Sequence, residues 1–191
     1  MAVKQVRTDR KNPEMRKAFL AIILLITGIT AFAQVKNNVT KSSITFKIKN
    51  LGIYTGGSLG TMQASVAFDP AKLAESKIEA VADATTLNTE NEMRDNHIKN
   101  EDFFDVAKYP KITMSSLSFS RKNASNYVGR FNLTIKDKTK QVDVPFSFLP
   151  TAAGANLKGS FKINRSDFGI GGSTLTLADE AIITIEVETA K

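Results

Sequence analysis

Apolar residues recur at every second position in one segment of this chain after another, and that period of two most constrains what it can fold into. Ile44, Phe46 and Ile48 alternate with Thr45, Lys47 and Lys49, the pattern of a strand with one face buried and the other in water. The same code runs through Met62, Ala64, Val66 and Phe68, through Ile78, Ala80 and Ala82, and through Ile112 and Met114. It returns in Tyr127 to Ile135, in Val142 to Phe148, in Leu157 to Ile163 and in Ile183 to Val187. Between these runs lie Asn123 to Asn126, Lys136 to Lys140 and Ala152 to Gly154, with the short polar or glycine content of hairpin loops. At least seven or eight strands at hairpin spacing predict a mainly β fold, an antiparallel barrel or sandwich. Gly52, Gly56, Gly57 and Gly60 predict a turn before the second strand, and Ala71 to Ser76 a short helical turn. The small side chains of Ala80 and Ala82 predict a crowded or cavity-lining face.

One stretch breaks the pattern. Arg94 to Pro110 is dense in charge and aromatic residues, and it holds the only histidine, His97, with Asp95, Glu101, Asp102 and Asp105. Thr89 followed by Glu92 fits a capping box, which predicts a helix from Glu90 to about Lys99 with Met93 and His97 on one face. Asn100 is placed to cap a second short helix over Asp102 to Ala107, and Tyr109-Pro110 ends it because the residue before proline avoids the helical region. The expected helical segment therefore spans about residues 90–108.

Residues 1–33 read as an export signal. Arg16 and Lys17 form a charged n-region, Ala18 to Ile29 an apolar h-region, and Ala31-Phe32-Ala33 an A-x-A cleavage site before Gln34. The apolar run is about a dozen residues, too short to span a bilayer core of about 30 Å. Met15 sits where such a signal begins, so residues 1–14 read as an upstream extension. The expected product is one domain over 34–191, periplasmic or secreted. Of the net charge of +7, residues 1–33 carry six basic and two acidic side chains, which leaves +3 for the domain and removes the main support for a nucleic-acid partner. Cysteine is absent, so the core holds the fold without disulfides, thiol catalysis is excluded, and no acylated cysteine provides a stable membrane anchor.

Two constellations invite a catalytic reading and do not carry it. Gly56-Gly57-Ser58-Leu59-Gly60 matches G-x-S-x-G, but a nucleophile elbow needs a strand running into a helix, and Ser58 precedes the strand from Thr61 to Phe68. A glycine-rich hairpin is the plainer reading. A lone histidine among carboxylates without calcium-loop spacing makes no metal site of a usual kind. No catalytic residue and no metal ligand is assigned. The phenylalanines number 12, and Phe46, Phe131, Phe146 and Phe161 recur on one face of separate strands. An eight-stranded barrel has an interior just wide enough to be filled by side chains or to hold one ligand, and periodicity alone leaves both readings open.

Longer motifs carry a resemblance. Arg94-Asp95-x-His97-Ile98 with Asp102-Phe103-Phe104-Asp105-Val106 and Tyr109-Pro110-x-Ile112, then Gly129 with Leu133-Thr134-Ile135 and Thr139-Lys140, then Gly159-Ser160-Phe161-x-Ile163-Asn164-Arg165-x-Asp167-Phe168-Gly169-Ile170-Gly171, resemble the YceI-like polyisoprenoid-binding family over essentially all of 34–191. Phe46-x-Ile48-Lys49-Asn50-Leu51-Gly52 and Phe68-Asp69-Pro70 fit as well. Asp137 stands where the family often has glycine, and Gly56 to Gly60 lack the usual valine and aromatic. The resemblance implies an extended, lipocalin-like antiparallel barrel whose tunnel holds a long isoprenoid or similar amphiphile, in proteins exported by Gram-negative bacteria. It implies a bound polyisoprenoid, quinone or fatty-acid-like lipid rather than a cofactor, with a homodimer as a further expectation. Its ligand-binding candidates are Phe46, Ile48, Met93, Phe103, Phe104, Ile112, Met114, Phe131, Leu133, Phe146, Phe161, Ile163 and Phe168 around the tail, with Arg94, His97, Asn164 and Arg165 near a head group. Two alternatives stand beside it: an enzyme presenting a hydrophobic substrate to His97, and a ligand-free barrel that binds another envelope protein.

Overall fold

The computed structural model describes residues 37–60 and 62–190; the expected export signal, its upstream extension and the cleavage site lie outside them. Nine antiparallel strands form one sheet: β1 (Asn37–Asn50), β2 (Ile53–Leu59), β3 (Met62–Ala67), β4 (Lys77–Asp83), β5 (Lys111–Arg121), β6 (Asn126–Ile135), β7 (Lys138–Pro150), β8 (Gly154–Asn164) and β9 (Leu177–Ala190). Eight of them close a barrel. Each of β3 to β8 pairs with the next, β1 pairs with β9 along most of its length, and Asn37 and Asn38 of β1 complete the ring against Val66 and Ser65 of β3. Closure leaves no open edge in the ring.

The ninth strand corrects the expected turn. Gly56, Gly57 and Ser58 lie inside β2, which pairs with the upper half of β1 from Ile44↔Leu59 to Asn50↔Ile53. Asn50 to Ile53 is a two-residue hairpin with Leu51 at φ 50° and Gly52 at φ 80°, the positive pair that matches strand twist. Two glycines in a strand looked like a turn because glycine weakens strands. Here a neighbour needs the space: a Cβ on Gly57 would lie 2.5 Å from the Phe46 ring and 2.7 Å from the Asn88 carbonyl oxygen.

The region between β4 and β5 is less helical than expected. A 3-10 turn at Ala84–Thr86 leads to the helix α1 (Glu92–Lys99), whose N-cap is Asn91 rather than the Thr89 of the expected capping box. Asn91 Oδ1 accepts from the Arg94 N–H at 2.9 Å. Asn100 closes α1 as its C-cap, and Asp102 to Ala107 form hydrogen-bonded turns instead of a second helix. Asp105 at φ 48° breaks any continuation. Ala71 to Ser76 likewise form turns, held by Ser76 Oγ donating to the Asp69 and Lys72 carbonyls.

The interior has a filled end. Phe68 is the hub of an aromatic plug, with ring centroids 5.0–5.3 Å from Phe119, Tyr127, Phe146 and Phe148, spacings at which edge-to-face and tilted rings attract. Phe131 joins from above, 5.8 Å from Phe119, and its ring lies over Gly129, where a Cβ would meet it at 2.4 Å.

Candidate functional site

Above the plug the barrel is not filled. A cavity of about 200 Å³ runs from Met62 and Ala82 up to α1, lined almost wholly by apolar side chains. β1 contributes Ile44, Phe46 and Ile48; β4 and β5 contribute Ala80, Ala82, Ile112 and Met114; β6, β8 and β9 contribute Leu133, Ile135, Phe161, Ile163, Ala181, Ile183 and Ile185. Each set is the inward half of an alternating strand. The space exists because alanines stand at inward positions, Ala80 and Ala82 on β4 and Ala181 on β9, with Ala80 paired to Ala64 on one side and Met114 on the other.

The upper wall is made by loops. Leu87, Ile98, Phe103, Phe104 and Ile170 close over the cavity. Two main-chain links hold this cover together, the Gly171 N–H donating to the Asp102 carbonyl at 2.8 Å and the Phe104 N–H to the Ile98 carbonyl at 3.0 Å. Gly171 has φ +61°, and a Cβ there would lie 2.7 Å from the Phe103 ring, so glycine permits both the turn and the contact. The polar lining is confined to this end: Asn50, Thr55, Thr89, Arg94 and Arg165. Asn50 and Arg94 are both exposed, and the cavity reaches solvent beside them.

The two arginines have opposite roles. Arg165 is 3 % exposed. Its Nε donates to the Ala178 carbonyl, one terminal nitrogen to the carbonyls of Ile170, Gly171 and Gly172 at 2.9–3.0 Å, and the other to Leu177 O, with Asp179 at 3.1 Å. A guanidinium has five N–H donors, and these partners occupy all of them. Arg165 therefore pins the segment from Gly169 to Asp179 over the barrel. Arg94 is tied by two bonds only, Nε to Thr89 Oγ1 and a terminal N–H to Thr89 O, both 2.7 Å. Its other three N–H groups have no partner among the described residues, and Arg94 lines the cavity while being exposed. Thr89, itself buried, donates its hydroxyl (2.6 Å) and its N–H (2.8 Å) to Asp95 Oδ1. The hydroxyl bond above all holds the Asp95 carboxyl below the usual carboxylate range. This Arg94–Thr89–Asp95 chain fixes where the free face of Arg94 points.

The seventeen candidates separate by position. Phe46, Ile48, Arg94, Phe103, Phe104, Ile112, Met114, Leu133, Phe161, Ile163 and Arg165 stand on the cavity wall. Phe131 and Phe146 belong to the packed interior beneath it, and Phe168 is buried under the Arg165 turn. Met93 faces solvent. His97 is exposed, with its ring 4.9 Å from that of Phe103 and edge-on to it. Asn164 is the cap of the 3-10 turn Arg165–Phe168, accepting from the Ser166 N–H and hydroxyl. Sequence reasoning passed over Ile44, Met62, Ile135, Ile183 and Ile185, although their alternation marked them as inward, and over Ala181, one step before the recognised run. It had no signal for Thr55 and Leu59, which belong to the unrecognised β2. Ser58 is the penultimate residue of β2, its N–H and carbonyl bonded to Asn88, and the next element in the chain is the strand β3 rather than a helix. Among the described residues no cluster of three or more histidines and carboxylates is arranged to hold a metal, and no helix is long and apolar enough to cross a membrane.

Comparison with known proteins matches residues 36–189 to the YceI-like domain. A UPF0312 protein of Vibrio campbellii is 32 % identical over 139 residues, covering 72 % of this chain and 70 % of the relative. The crystal structure of Burkholderia cenocepacia BcnA superposes with a TM-score of 0.74 at 28 % identity, covering 78 % of this chain and 96 % of that one. A polyisoprenoid binding domain from Saccharophagus degradans, implicated in plant cell wall breakdown, shares the fold with a TM-score of 0.63 at 12 % identity, over 81 % of this chain and 97 % of that one.

Proposed function

Since the chain belongs to the YceI-like domain family, we propose that it is an exported binding protein for an amphiphile with an isoprenoid-like tail, held tail-down in the barrel. The observation that carries this reading is the apolar cavity of about 200 Å³ that is blocked below by the Phe68 plug and meets the exposed Arg94 at its mouth. An apolar tail gains about 0.8 kcal/mol per buried CH₂, less the cost of immobilising it. Arg94 adds a fork of donors for a phosphate, carboxylate or ring carbonyl. The fold is shared with a polyisoprenoid binding domain, and the export reading of residues 1–33 supports a carrier working in the envelope.

Capacity narrows the ligand. A cavity of about 150 Å³ holds one benzene, so about 200 Å³ corresponds on that scale to roughly eight carbons, between one and two prenyl units. A longer chain is admitted by swinging Met62 and Met114, both on the wall and both flexible by nature, or it leaves the remainder at the mouth. Mass spectrometry of organic extracts from protein purified without detergent tests the proposal. A reproducible amphiphile at near-stoichiometric yield, lost on plugging the cavity, is the expected result. Extracts empty of lipid, together with no affinity for added prenyl alcohols of ten to twenty carbons, would overturn it.

A further inference from the structure

The mouth is ringed by apolar side chains that no described residue covers. Among the described residues seven large hydrophobic side chains are exposed, and five of them are here: Leu51 (74 %), Ile53 (73 %) and Tyr54 on the β1–β2 hairpin, Met93 (84 %) on α1, and Leu175 (107 %) on the loop before β9. Each lies within two positions of a residue lining the cavity, namely Asn50, Thr55, Arg94 or Leu177. The hairpin tip and the loop touch, through the Leu51 N–H donating to Thr176 O at 2.8 Å.

Leu51 is the informative member. At φ 50° it occupies the left-handed region, where asparagine or glycine is favoured and a bulky side chain is strained. A leucine kept there, with its side chain in water, is poor for the turn and needs another reason. The charge beside it names the occupant. From Asn37 to Phe68 there is no acidic residue, while Lys47 and Lys49 flank the tip without an ion pair among the described residues, and Lys49 Nζ lies 5.2 Å from the centre of the Tyr54 ring. Aliphatic tips, a tyrosine and lysines with apolar stems together suit the boundary of a bilayer. α1 carries Glu92 next to Met93, so the basic hairpin leads and the helix trails.

We propose that the Leu51–Tyr54 hairpin and Leu175 form a docking rim that seats the barrel mouth on a bilayer rich in anionic lipid, so that an apolar tail passes between membrane and cavity without crossing water. The proposal rests on the binding function argued above and is tested separately from it. The chain has no tryptophan, so Ile53→Trp is a clean reporter in residues 34–191, which contain the complete closed barrel. With vesicles of phosphatidylcholine and phosphatidylglycerol (3:1), its emission shifts to the blue and the protein co-sediments. Leu51→Asn combined with Ile53→Ser lowers that partitioning at least tenfold, and Lys49→Gln lowers it about fivefold on anionic vesicles only. Leu51→Asn alone leaves the thermal midpoint equal or higher, because asparagine suits the turn. Uptake of 1-N-phenylnaphthylamine in vesicle-free buffer is unchanged in all these variants, which separates loss of docking from loss of the cavity. The rim is refuted if the tryptophan emission does not respond to vesicles, if the double variant partitions like the parent, or if the same substitutions instead convert a dimer in solution to a monomer.

Discussion

Ala80→Phe asks the barrel directly whether its upper half is a ligand space. Ala80 lies on the cavity wall between Ala64 and Met114, and the substitution drives a ring toward the middle of the space. In a close-packed interior such an insertion costs about 1–3 kcal/mol. In a cavity of about 200 Å³, larger than the roughly 150 Å³ that encloses a benzene, the ring fits in a relaxed rotamer and contributes about 1.5–3 kcal/mol of burial. The two cases therefore differ in sign. At about 2–4 °C per kcal/mol for a domain of this size, thermal unfolding of the ligand-free protein resolves them easily. Filling also leaves only about 50 Å³, a space of one or two waters, so binding of 1-N-phenylnaphthylamine or a prenyl alcohol should fall at least tenfold. Equal or greater stability with lost binding is the expected pair of results. A variant destabilised by more than about 1 kcal/mol that still binds its ligand refutes the reasoning, since the ligand would then lie elsewhere.

Phe131→Trp, by contrast, should destabilise by about 1–3 kcal/mol, because Phe131 is packed against Phe119 and over Gly129 rather than on the cavity wall; chemical denaturation reads this. Arg165→Met should cost at least about 3 kcal/mol, the loss of several charge-assisted bonds to carbonyls, and hydrogen exchange should show residues 169–179 opening first. Asp95→Asn should weaken the protein at pH 7. Since the Asp95 carboxyl is held below its ordinary range in the fold, its contribution is present above the unfolded pKa and disappears as pH falls through the lower folded value, so the gap between variant and parent should close below the carboxylate range. Ser58→Ala should leave stability and ligand content unchanged, as Ser58 joins Asn88 through its main chain; labelling of Ser58 by a phosphonate would contradict this.

The barrel was legible because a period of two is a strong signal wherever one face is buried. Every run of alternating residues became a strand, and the hairpins followed the polar breaks. β2 was hidden for a local reason. Its Gly56-Gly57 pair reads as a turn, and only the ring of Phe46, folded over Gly57 from the neighbouring strand, explains why glycine is required in a strand there. The second expected helix failed on a similar point. Asn100 offers a cap, but the Asp102 carbonyl is taken by the Gly171 N–H and the neighbouring N–H groups close tight turns, a tertiary choice that no local propensity records.

The site was legible by face but not by height along the barrel. Phe46, Phe131, Phe146 and Phe161 alternate identically, and all four point inward, yet two stand on the cavity wall and two in the packed interior below. What divides them is the residue opposite. Phe131 and Phe146 meet rings, reaching Phe119 at 5.8 and 6.1 Å, whereas Phe46 and Phe161, which flank Ile183 of β9 in register, line the same space as Ala80, Ala82 and Ala181. Small residues on β4 and β9 thus decide where packing stops and space begins. The arginines make the same point for charge. Arg94 and Arg165 were indistinguishable as head-group candidates until their donors were counted. The one with every N–H occupied holds the cover in place, and the one with three to spare stands at the opening. Exchanging that surplus for a neutral side chain by Arg94→Gln should therefore weaken an anionic amphiphile more than an uncharged prenyl alcohol of the same length. Equal losses for both would mean that Arg94 only shapes the mouth.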